Sequence, residues 1–124
     1  MCMNGILWLA LEPQITPVPY RYAPARHLHV TLLYGVTRRC WDEWIGRRVS
    51  IALIAECWND RIQAAKALLP DPYAAIATNP VPHLTLSHLN GVKPVESNQM
   101  LSLPHHEAIL DVSVETVVAF RPLR

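Results

Sequence analysis

Charge is scarce in this 124-residue sequence: only 17% of its residues are Asp, Glu, Lys or Arg, and they nearly cancel to a net charge of +1. That balance excludes a broad basic surface of the kind long double-stranded DNA demands, so any nucleic-acid partner is short or single-stranded. The pairs Arg38-Arg39 and Arg47-Arg48 read first as solvated edges. Cysteine is also sparse. Cys2, Cys40 and Cys57 are odd in number and form no C-x-x-C, which argues against a disulfide framework or a paired-cysteine zinc site and fits a reduced cytoplasm. Long apolar runs are missing too. The stretch Ile6-Leu7-Trp8-Leu9-Ala10-Leu11 is too short for a signal-peptide core or a membrane span, so no membrane role is expected. Finally, there is no H-E-x-x-H, no cysteine ligand pair and no clustered carboxylates close to the two His-x-Thr motifs, so neither the His27-x-His29 pair nor His88, His105 and His106 is expected to hold a metal. No metal and no cofactor are expected.

What is present is apolar side chain, 51% of the sequence, enough for one core and hence one domain over residues 1–124. The pattern predicts a buried first strand at Ile6–Leu11. An irregular surface loop follows over Glu12–Arg26, where Pro13, Pro17, Pro19 and Pro24 remove backbone donors. His29–Tyr34 reads as a strand closed by Gly35, and Thr37 as the cap of a short helix to about Gly46 with Trp41, Trp44 and Ile45 inward. Arg48–Trp58 suits a buried strand, Asn59-Asp60 a turn, and Arg61–Leu69 a returning strand, although its alanines favour helix by propensity. His83–Leu89 is the next strand. A short helix capped by Ser97 or Asn98 comes after it, and Ala108–Phe120 gives one long bent strand or two short ones. All four tryptophans lie in apolar periodic segments and read as core. The class is α+β, strand-rich with one or two short helices.

The chemistry lies in a repeated motif. His29-Val30-Thr31 and His83-Leu84-Thr85 both read His-apolar-Thr. In a strand, residues i and i+2 share a face, so each histidine projects with its threonine while Val30 and Leu84 point to the core. Burying such polar faces unpaired costs a few kcal/mol each, which favours a shared wet cleft. Two imidazoles can supply the base and the acid that phosphodiester cleavage needs without a metal, and two hydroxyls can donate to the non-bridging oxygens. The weak echo between the halves of the chain suggests a duplicated lobe.

These residues resemble the 2H phosphoesterase superfamily, named for its paired H-x-T/S motifs. Over residues 27–101 the chain is similar to the cyclic phosphodiesterase domain of fungal-type tRNA ligases and its small stand-alone bacterial and phage relatives. The similar stretches are Ala55–Ala64, Pro82–Leu86 and Gly91–Asn98. The resemblance implies two antiparallel sheet lobes related by a pseudo-two-fold axis about a central groove. His29 and His83 would be its acid-base pair, and Thr31 and Thr85 its phosphate-binding hydroxyls. It also implies a 2′,3′-cyclic phosphate on an RNA end or nucleotide as substrate, with no cofactor. Phage members that degrade cyclic oligonucleotide immune messengers supply an alternative substrate, and a non-catalytic module binding nucleotides or RNA ends is an alternative of another class. Lys93, Ser97 and Asn98 are expected along the groove, as a cation and a helix start beside the second motif. The small size of the chain favours a compact substrate, and oligomeric state is not legible.

Overall fold

The computed structural model describes residues 4–14 and 17–123. Cys2 and part of the proline-rich loop lie outside them. Alternation along β1 (Asn4–Leu11) turns Leu7, Leu9 and Leu11 to one side, where each is at most 1% exposed, and sends Ile6 and Trp8 to the other. The same two-residue period in β3 (His29–Thr37) buries Val30 and Leu32, and in β6 (His83–His88) it buries Leu84 and Leu86. Val49, Ile51 and Leu53 of β4 (Arg48–Trp58), with Val114 and Val118 of β7 (His106–Pro122), complete the interior. Each fully buried leucine contributes about 1.5–3 kcal/mol.

These strands, with β5 (Ile62–Leu68), pair antiparallel in the order β6-β3-β1-β7-β4-β5, and a further β5–β6 ladder closes the ring. A closed six-stranded barrel results, and the two-residue β2 (Ala23–Pro24) adds to β6 as an extra strand. Where two sheet lobes are expected, strand pairing therefore gives one continuous sheet. The ring is weakest at β3–β6, joined by the single pair Val30↔Leu84, and it is there that the two motifs meet.

β5 is a strand despite its alanines because small side chains serve both of its faces. Ala65 and Ala67 fill the barrel, while Ala64 lets a second cluster with Cys57, Val92 and Met100 pack outside beneath α2 (Glu96–Ser102). Tertiary packing overrides helix propensity here. β3 does not stop at Gly35. With φ of 77° the glycine forms a bulge, skipped in the register with β1, and the strand continues to Thr37. The helix expected after it is one 3-10 turn, Arg38–Trp41, and Thr37 makes no side-chain cap bond. The single-turn α1 (Tyr73–Ile76) is unannounced in the sequence, and its Tyr73 packs edge-on to Trp44 with ring centres 5.8 Å apart. β7 is one strand of 17 residues.

The proline-rich loop is tied to the barrel by buried polar side chains. Gln63 accepts from Arg21 N and Ser87 Oγ and donates to the Pro19 carbonyl and to Glu56, so the wholly buried amide is fully bonded. Gln14 brackets Leu28, the residue before His29, accepting from its N–H and donating to its carbonyl at 2.7 and 2.9 Å. The loop thus fixes where the first motif begins. No helix among the described residues is long and apolar enough to cross a membrane.

Candidate functional site

Val30 and Leu84 face each other with their side chains in the core, so their neighbours carry the opposite orientation. Continuing the antiparallel register sets His29 across from Thr85 and Thr31 across from His83. Each imidazole is thereby flanked by the hydroxyl of the other strand. All four side chains line one cavity of about 610 Å³, within the range of small-molecule sites.

The two rings are held alike. His29 Nδ1 lies 2.9 Å from the His27 carbonyl and His83 Nδ1 lies 2.8 Å from the Val81 carbonyl. A carbonyl only accepts, so each Nδ1 carries the hydrogen and the lone pair of the neutral ring is on Nε2. Desolvation of the half-buried ring takes the His29 pKa down to about 4 against the bond to the His27 carbonyl, which raises it, and the charges of His27, Arg121 and His83 also lower it. Burial also lowers the pKa of His83. Burial thus disfavours the charged form of both rings.

Around Nε2 the two differ. His83 Nε2 is 2.8 Å from Ser97 Oγ, which also reaches the Pro94 carbonyl at 2.8 Å and Thr85 Oγ1 at 3.0 Å. Ser97 is buried and does not cap α2. The N-cap position is Val95, and no side chain caps the helix. His29 Nε2 has no hydrogen-bond partner among the described residues, and its ring lies on Trp8 with centres 3.9 Å apart.

Of the remaining expected residues, Ser97 and Asn98 line the cavity. Lys93 does not: it is exposed in the turn before α2, where its carbonyl accepts from Glu96 N. Arg121, opposite Ile6 in the β1–β7 register and 5.5 Å from the Trp8 ring centre, does not line the cavity but is close enough for its charge to act on His29. Tyr34, which is 70% exposed, and Asn79, which donates to Asn98 Oδ1 at 2.8 Å, also border the cavity. Trp8 and Arg121, the neighbours of the His29 ring, are invisible as such in the sequence because one sits in an apolar run and the other near the far end. Their signal is the β1 alternation, which places Trp8 on the side away from the leucines. Trp8 is buried, as expected of it, but on the outer face of the barrel against the His29 ring. Trp58, also expected in the core, is stacked between the Arg21 guanidinium, 3.6 Å away, and the His106 ring. Trp41 and Trp44 do pack against the core, partly buried.

The family model described as the fungal tRNA ligase phosphodiesterase domain matches residues 36–120. The match holds His83, Thr85, Ser97 and Asn98, runs on through most of β7, and begins beyond His29 and Thr31. No curated protein matches the chain.

Proposed function

Since the chain belongs to the fungal tRNA ligase phosphodiesterase domain family, a family of phosphodiester hydrolases, we propose that it opens a 2′,3′-cyclic phosphate on a nucleotide or short RNA end, as one domain over residues 1–124 and without a metal. The observation that carries this reading is the single cavity lined by His29, Thr31, His83 and Thr85. Water attacks phosphorus as one imidazole Nε2 takes its proton. The bond to the 2′ or 3′ oxygen breaks, the other imidazole protonates that oxygen, and a phosphomonoester leaves. Thr31 and Thr85 donate to the non-bridging oxygens, where negative charge grows.

The surroundings of the two rings support a division of labour. His29, with no acceptor beside Nε2 and cationic Arg121 nearby, favours the neutral ring and is the base. His83, whose Nε2–H can donate to Ser97, is the acid. A cavity of about 610 Å³ suits a nucleotide-sized end, and the same volume and chemistry admit a cyclic oligonucleotide presented one phosphate at a time. The test is incubation with 2′,3′-cyclic nucleotides, cyclic dinucleotides and cyclic-phosphate-ended RNA in excess chelator. Monoester formation from the 2′,3′-cyclic members is expected. Turnover of cyclic dinucleotides alone moves the substrate to the messenger class, and saturable binding without product on any member makes the protein a binding module.

A further inference from the structure

Away from the groove, three side chains of metal-ligand type converge where β7 begins. Cys57 Sγ of β4 lies 3.3 Å from Glu107 Oε1, and His105 Nε2 lies 3.1 Å from the same oxygen. The three ligand atoms are all within 4.8 Å of one another, and none of the three residues lines the cavity. In a tetrahedral zinc site, bonds of about 2.0–2.3 Å leave neighbouring ligand atoms about 3.3–3.5 Å apart. Two of the spacings are already close to those edges.

The surroundings orient the donors. His105 Nδ1 donates to the Leu103 carbonyl at 2.8 Å, which leaves Nε2 as the donor atom toward Glu107, the outer-sphere arrangement usual for a metal-binding histidine. In that tautomer a lone pair on Nε2 faces a carboxylate oxygen, an unfavourable contact unless a proton or a cation lies between them. Cys57 is 0% exposed, and Glu107 is its only side-chain hydrogen-bond partner among the described residues. A cation already approaches from the solvent side, for Lys66 Nζ lies 2.8 Å from Glu107 Oε1.

We propose that Cys57, His105 and Glu107 form a binding site for a thiophilic divalent ion of the zinc type, which takes the place Lys66 holds against Glu107 and leaves a fourth position to water. The thiol, which burial first and then Glu107 push up to about 12, gives its proton to solvent as the sulfur–metal bond forms. Lys66 sits on a side chain 29% exposed and can turn outward to water. The bound ion clips the turn after α2 to β4, and Cys57 shares its small apolar cluster with Met100 of that helix. This site is structural and independent of the groove chemistry, so it is compatible with cleavage in chelator.

The experiment is titration of the reduced, metal-free chain with cobalt(II), read by thiolate-to-metal absorption in the near ultraviolet and followed by displacement with zinc. One ion per chain is expected, with the band lost in Cys57→Ser and in His105→Gln and kept in Cys40→Ser. Lys66→Gln, which removes the competing ammonium, should tighten cobalt binding several-fold. Circular dichroism reports whether each variant is folded, and the two ligand variants serve as each other's check. No thiolate band in the wild-type chain, or a band that survives in folded Cys57→Ser, overturns the site. Unchanged affinity in Lys66→Gln overturns the claim that the ion takes the lysine's place.

Discussion

The strands that carry the two motifs are alike up to one atom. On both, the imidazole Nδ1 is clamped by the carbonyl two residues earlier, and the threonine two residues later shares the cavity. At Nε2 the likeness ends. His29 lies against an indole, with no acceptor among the described residues, while His83 meets a buried hydroxyl that is itself bonded onward. Ser97 has one hydrogen to give. When His83 is neutral, that hydrogen goes to Nε2 and the Pro94 carbonyl loses it. When His83 is protonated, Nε2–H donates to Ser97 and Ser97 donates to Pro94, so the charged ring gains one more bond. Identical motifs are thus tuned apart by residues outside them, which is how acid and base roles become distinct.

The comparison breaks most severely when either ring is removed. His29→Ala and His83→Ala are each expected to lower kcat/KM on a 2′,3′-cyclic nucleotide by roughly two to four orders of magnitude while leaving the fold intact. Both rings touch the same cavity but fill little of the core, and circular dichroism checks that they are dispensable for folding. Full activity in either variant would remove that histidine from the mechanism. With the proposed roles, His29 as a base held near 4 and His83 as an acid held below 6.5, the maximum of kcat/KM should fall on the acid side of neutrality, where His29 is neutral and His83 protonated.

A smaller effect sharpens the asymmetry. Ser97→Ala removes the acceptor that favours charged His83, so the alkaline limb of the kcat/KM profile should move down by about one pH unit, with roughly ten-fold lower activity near neutrality. The acid limb, set by His29, should stay. A uniform loss with no movement of either limb would mean that Ser97 only supports the fold or the substrate.

How much of this was legible without coordinates follows from what a repeat of two can report. Alternation tells which way a side chain faces, and so β1, β4, β6, β7 and the shared polar faces of His29 with Thr31 and His83 with Thr85 are readable from residue order. It is silent on which strand lies beside which. The β5–β6 ladder that closes the barrel, and with it the single sheet in place of two lobes, depends on pairing between distant segments. Ser97 looked like a helix cap because hydroxyls usually serve there, yet the bend at Pro94 turns it back to Thr85 and His83. Lys93 follows the second motif closely in residue order, yet it is exposed and does not line the cavity. α1 is too short to show a period.

The smallest effect concerns stability, and its sign follows from linkage. His29 has its folded pKa held below 6.5, at about 4, so between those values the unfolded chain binds a proton that the native protein refuses. Stability from this group is full above about 6.5 and is lost as pH falls toward 4. His83 adds a loss of the same sign. The lowered carboxylates Glu107 and Glu96 lose their contribution only below about 4.5, as they begin to protonate in the unfolded chain, so the window between 6.5 and 4.5 isolates the histidines. Thermal unfolding across that window should show Tm falling with acid in the wild-type protein, by an amount worth at most roughly 3 kcal/mol from His29. His29→Gln should flatten the slope more than His83→Gln, because the charges of His27, Arg121 and His83 add to burial at His29 alone and make its shift the larger. Equal slopes in the two variants would show that the indole and the hydroxyl leave the imidazoles with the same proton affinity, and the assignment of base to one and acid to the other would lose its physical basis.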